Sequence, residues 1–128
     1  MKYYFEKITA YSFEEAVNRV SEELQKEGFG VISQIDIHDK LKEKLDVDFR
    51  KYRILGACNP GYAYKALLSA DKIGVMLPCN VIVQEAPGGK TEVAAVDPYA
   101  SMMAVDNKEL EGIAAEVRDK MERVIRNT

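Results

Sequence analysis

The most reactive side chains in this chain are two cysteines, Cys58 and Cys79, and each is followed by an asparagine, Asn59 and Asn80. Two thiols at one place could bind a soft metal, form a redox pair or attack an electrophile. Asn59 and Pro60 read as a helix start, where free backbone N–H groups favour an anion and would help a thiolate. The same cysteines could equally be small packed residues, since free cysteine is among the most buried types. Their spacing lacks the tight C-x2-C pattern of zinc sites, so as metal ligands they stand alone. Asn59 and Asn80 suit cap and strand-end positions. Asp97 precedes Pro98, a turn-forming pair whose carboxylate could also act as a base. Met102 and Met103 could be soft ligands, or fill a core or a subunit contact. His38 is the single histidine, so no Ser/His/Asp set can be assembled.

These residues matter only if the fold brings them together. Residues 2–9 carry strand formers, Tyr3, Tyr4, Phe5 and Ile8. Ser12 and Glu15 make a capping box, and Phe13, Ala16, Val17, Val20 and Leu24 follow at helical spacing up to Gly28. From Phe29 to His38 the period is two, with Phe29, Val31, Ile35 and Ile37 on one face and Ile32, Gln34, Asp36 and His38 on the other. Residues 39–49 can hold a helical turn, and 50–57 a third strand. Asn59 caps and Pro60 opens a short helix with Ala63, Tyr64, Leu67 and Leu68 as its apolar side. Residues 73–85 read as extended, and Pro78 places the start of the fourth strand near Cys79. Pro87, Gly88 and Gly89 form a hairpin turn rather than a phosphate loop, because no helix follows, and Lys90 to Val96 returns. Asp106 and Glu109 then cap a last helix, 106–126, with Leu110, Ile113, Ala114, Val117 and Met121 inward.

Strands in a run between two long helices predict an α+β domain spanning 1–128, not a doubly wound sheet. Its expected form is a two-layer antiparallel sheet of about five strands, with the helices 12–28 and 106–126 on one face. An antiparallel return from the third strand to the fourth would set Cys58 beside Cys79, and the hairpin would carry Asp97 to the same end. The open face, with apolar positions such as Ile32, Leu55 and Ile82, predicts a homodimer.

Composition narrows the function further. A formal charge of -3 and a pI near 5.3 argue against a protein built on phosphate contacts, so nucleic acid is not expected. The N-terminal residues lack the apolar stretch of a signal peptide, and no run approaches the ~20 apolar residues of a membrane span. A cytoplasmic protein with reduced thiols is expected.

The segments ILGACNP (54–60), LPCNVIVQE (77–85) and VDP (96–98), in this order and spacing, resemble the family catalogued as domain of unknown function 302. The similarity runs through almost the whole chain. It implies a β-α-β(4)-α fold of the TATA-binding-protein-like class, and neither DNA binding nor any named activity. Two functional readings follow. One is a small-molecule or soft-metal binding domain, with Cys58, Asn59, Cys79, Asn80 and Asp97 around a thiol site. The other is a homodimeric interaction module in which those residues hold corners. Whether the chain is an enzyme, and with what cofactor, stays open at this stage.

Overall fold

The computed structural model describes residues 2–128. Five strands form one antiparallel sheet: β1 (Tyr4–Thr9), β2 (Gly30–Asp36), β3 (Tyr52–Cys58), β4 (Cys79–Ala86) and β5 (Lys90–Val96). Their spatial order is β1-β5-β4-β3-β2. Helices α1 (Phe13–Lys26) and α5 (Lys108–Asn127) cover one face. The capping box is real at its first half: the Ser12 hydroxyl accepts from the Glu15 N–H, and Gly28 takes a φ of 88° just past the helix end. One apolar stripe per helix then suffices. Val20 and Leu24 from α1 and Met121 and Val124 from α5 meet Leu55, Val81, Val83 and Val93 of the sheet. None of these eight is more than 1% exposed. At about 1.5–3 kcal/mol for each buried aliphatic side chain, this layer holds the domain together.

Shorter elements close one end of the sheet. These are α3 (Pro60–Ser69), a 3-10 helix at Asp71–Met76 and α4 (Pro98–Ser101), while α2 (Ile37–Leu45) sits at the opposite end, between β2 and β3. Ala66, Ile73, Met102, Leu110 and Ala114 form a second, smaller apolar cluster between α3, the 3-10 turn, the α4 end and α5.

Several local expectations are corrected. The strand expected over 29–38 stops at Asp36, and His38 lies in α2, where its Nδ1 accepts from the Tyr52 N–H at 3.0 Å. A bulge between Val31 and Ser33 also breaks the period-two pattern. Val31 pairs with Ala57 on the helix side, whereas Ile35 pairs with Ile54 on the open side and is 43% exposed. One inserted residue inverts the facing of everything after it. Leu55 was expected on the open face, but it sits opposite Val81 in the core. The stretch 73–78 is not extended, because Asp71–Met76 forms the 3-10 turn. The cap of α5 is Asn107, whose side chain accepts from the Leu110 N–H at 3.0 Å, not Asp106.

The short helix α3 is turned round relative to expectation. Its buried residue is Ala66, while Tyr64 and Leu68 are 66% and 70% exposed. Small side chains let the helix approach α5 closely, and that approach outweighs burial of the larger ones. The outward row continues into Val75, Met76 and Met103, all exposed.

Candidate functional site

The seam between the two apolar clusters is not filled. A cavity of about 260 Å³ lies there. The main core contributes Ala57, Cys79 and Val117 to its wall, and the smaller cluster contributes Ala66, Met102 and Ala114. Cys58, Asn59 and Tyr62 complete the β3–α3 corner of the wall. No charged side chain lines it among the described residues. The surface is therefore carbon and sulfur with a single amide and a single phenol.

The antiparallel return places both thiols in this wall. Cys79 is directly opposite Ala57, and Cys58 is the next residue along β3. A flat pleat would send Cys58 to the far face. Because β3 ends at Cys58 and the chain turns into α3, both residues reach the same cavity. Both are free thiols; Cys58 is half-buried and Cys79 buried. Burial, with a smaller contribution from the neighbouring Cys58, pushes the Cys79 thiol up to about 11. At neutral pH Cys79 is thus a neutral apolar wall atom, and Cys58 is the more exposed of the two thiols.

Asn59 does not cap α3. Its amide donates instead to the Glu27 carbonyl at 3.2 Å, and a side chain at Gly28 would press on that amide at 3.1 Å. Glu27 itself is held by Arg123 of α5 at 2.9 and 3.1 Å, and the Arg123 hydrogen bond lowers its carboxyl pKa. The C-terminal end of α1, the start of α3 and the C-terminal part of α5 are thereby tied together beside the cavity.

Asn80 and Asp97 are placed elsewhere. Asn80 is exposed on the open face of the sheet, as alternation along β4 from the buried Cys79 requires. Asp97 reaches the same sheet end, where its N–H bonds the Tyr3 carbonyl at 2.7 Å. Its carboxylate, however, is buried and fully engaged. One oxygen accepts from the Tyr99 and Ala100 N–H groups at 3.0 and 3.3 Å, and the other from Arg118 at 3.0 Å. Asp97 caps α4 and thereby positions Pro98 and Met102, which do line the cavity. Asp97→Ala is expected to cost about 1–3 kcal/mol in urea denaturation, through lost cap bonds and an unpaired Arg118. Asp97→Asn should cost less, because an amide oxygen still accepts. Loss of cavity binding at unchanged stability would instead place Asp97 at a ligand.

One cluster escaped the sequence. Asp36, His38 and Asp39 bring potential metal-ligating atoms within 4.8 Å of one another. Arg53 already binds Asp36, and its hydrogen bond lowers that carboxyl pKa; the His38 Nδ1 is taken by Tyr52. These groups serve the α2–β3 junction. Of the cavity wall, Phe29, Ile113 and Leu77 were invisible as site residues, since apolar side chains carry no motif.

Comparison with known proteins agrees with this architecture. A solved structure described as an uncharacterised conserved DUF302 protein from Bacillus stearothermophilus superposes with a TM-score of 0.91. It is 27% identical in sequence, over 99% of this chain and 98% of that one. No curated protein matches. The family model described as "Domain of unknown function DUF302" matches residues 5–128. The Cys-Asn-Pro corner, the Pro-Cys-Asn strand start and the Asp-Pro cap that surround the cavity all fall within that match, and the chain belongs to the DUF302 family.

Proposed function

We propose that the protein binds a small apolar molecule in the cavity beside Cys58 and Cys79. The observation that carries this reading is the cavity itself, an unfilled space of about 260 Å³ with an almost wholly apolar wall between two packed clusters. It lies just under the ~300–1,000 Å³ range of drug-sized sites, so the occupant is small. A protein interior normally closes such a gap, since each missing contact costs dispersion energy. A soft monovalent metal is the other occupant that suits the donor set of Cys58, Cys79 and Met102. Neutral Cys79 and the absence of any charged lining residue among the described residues favour the apolar molecule.

The test is fluorescence titration with an environment-sensitive apolar dye, together with native mass spectrometry and metal analysis of the protein as purified. Saturable binding is expected, and Ala63→Phe, a half-exposed position on the cavity wall, should abolish it without unfolding the chain. Equal binding by that variant would refute the site. A retained metal that leaves on mutation of either cysteine would favour the metal reading.

A second reading rests on the open sheet face. Ile35, Ile54, Ile82 and Ala94 run across four adjacent strands, rimmed by polar Glu6, Asn80, Gln84 and Glu92. An apolar stripe with a polar rim suits a second copy of the chain about a twofold axis. Light scattering should give twice the 14.4 kDa chain mass, and Ile82→Glu should halve it. A wild-type monomer at micromolar concentration would sink this reading.

A further inference from the structure

We infer that Cys58 and Cys79 form a two-thiol exchange site that reduces small apolar disulfides, with Cys58 attacking and Cys79 resolving. The inference rests on the cavity as a binding site and names its substrate class.

Geometry divides the roles. Cys58 is half-exposed and Cys79 buried, and both line the cavity. Cys79 faces Ala57 across the ladder, and Cys58 is one residue further on. A ~5 Å cross-strand step and a ~3.4 Å step along the strand set the two Cα atoms roughly 6 Å apart. That lies within the ~4.4–6.8 Å Cα window of disulfides. Since alternation along β3 aims Cys58 away from Cys79, closing the bond requires the β3 end to turn the Cys58 side chain toward the cavity that both line. The start of α3 beside Cys58 carries unsatisfied donors. Because Asn59 turns its side chain to Glu27, the Gly61 and Tyr62 N–H groups at the start of α3 have no protein acceptor among the described residues.

The chemistry closes without further reagents. The Cys58 thiolate attacks one sulfur of the disulfide R–S–S–R, that bond breaks, and one R–S⁻ leaves and takes up a proton. The second R group stays as a mixed disulfide with Cys58, inside the apolar cavity. Cys79 then attacks the Cys58 sulfur as its proton passes to the departing sulfur, so the Cys58–S–R bond breaks, the Cys58–Cys79 bond forms and the second R group leaves as the thiol. The protein is oxidised by two electrons to a Cys58–Cys79 disulfide, and the substrate is reduced to two thiols. The uncharged wall selects apolar R groups, since a charged one would enter without a partner.

The test uses the full reduced chain and dipyridyl disulfide, an aromatic disulfide whose leaving thione absorbs light, with intact-mass spectrometry. Wild type should release two thiones per chain, pass through one adduct and end lighter by two hydrogens. Cys79→Ser should release one thione and keep the adduct. Cys58→Ser should react more slowly than wild type by at least about tenfold. Oxidised glutathione, charged and too large, should also react at least about tenfold more slowly, the loss expected when ring burial is forfeited. Circular dichroism confirms that each variant is folded. A wild-type adduct that persists, two separate adducts on one chain, or equal rates with glutathione would overturn the exchange site. If dye binding to the cavity survives any of these results, the binding reading stands alone; if dye binding also fails, both fall.

Discussion

Raising the pH from well below 9 to well above 11 is expected to remove about 3 kcal/mol of stability through the Cys79 thiol alone. An exposed cysteine loses its proton near 9.0, whereas burial and the adjacent Cys58 hold Cys79 up to about 11. The folded chain therefore keeps this proton more tightly than the unfolded chain does. The stabilisation is fully present below the unfolded value and is lost as pH rises through the folded one. A gap of about two units corresponds to about 3 kcal/mol at ~1.4 kcal/mol per unit. No charged side chain among the described residues lines the cavity to compensate, and the titratable groups lining it beside Cys79 are Cys58, which raises it further, and Tyr62. Tyrosines and lysines also titrate in this range, so the measurement is a difference. Urea denaturation of wild type and Cys79→Ala should diverge progressively over the window, with wild type losing more. Parallel curves would mean that Cys79 is wet. The same burial predicts that native Cys79 labels at least about a hundredfold more slowly than Cys58 at neutral pH.

The second large effect concerns one hydrogen atom. Gly56 lies opposite Asn80 in the β3–β4 ladder. A Cβ there would stand 2.2 Å from the Ser33 hydroxyl and 2.9 Å from the Pro78 ring. The hydroxyl can rotate away, but the proline ring is fixed between Leu77 and Cys79 at the cavity wall. Gly56→Ala should thus cost about 1–3 kcal/mol, the usual range for overpacking, and Gly56→Val more. Adding Ser33→Ala should recover only part of the loss, because the contact with Pro78 remains. Thermal denaturation of the single and double variants measures this directly. Full recovery would show that Pro78 yields and that the sheet end is softer than its packing implies.

Some of this structure could be read from the chain and some could not. The capping pair at Ser12, the start of β4 at Cys79 and the limits of β5 follow from local rules, since cap hydroxyls, prolines and Pro-Gly-Gly act on their immediate neighbours. The antiparallel pairing of the strand ending at Cys58 with the one starting at Cys79 was also legible, because a run of strands between two long helices favours antiparallel neighbours. The facing of α3 was not. Tyr64, Leu67 and Leu68 look like an inward stripe, yet Ala66 is what meets α5, and only a partner element decides that. The bulge at Ile32 was hidden for the same reason, as an extra residue leaves no mark in composition. Asp97 illustrates a third limit. A carboxylate beside a proline reads alike as a base or a cap, and only its distances to Tyr99, Ala100 and Arg118 separate the two. The cavity, finally, is made by residues that nearly touch, so no motif announces it.

The order of the strands has a kinetic meaning. From β2 through β5 each strand pairs with its successor in sequence, and β4 and β5 are joined by three residues. Such a meander can zip by successive local closures, beginning with a hairpin on a timescale of about 1–10 μs. The first strand is different. Tyr4 pairs with Val96, so β1 finds its place only when nearly the whole chain is looped back. That closure must follow the formation of β5, and its entropic cost comes before any ladder bond repays it. Of the five strands of this sheet, the one synthesised before the others is therefore the last to dock. Until it does, the free edge of β5 offers Thr91, Val93 and Ala95 to any other extended chain that arrives, and the speed of that final docking sets how long the exposed edge is vulnerable to misassembly.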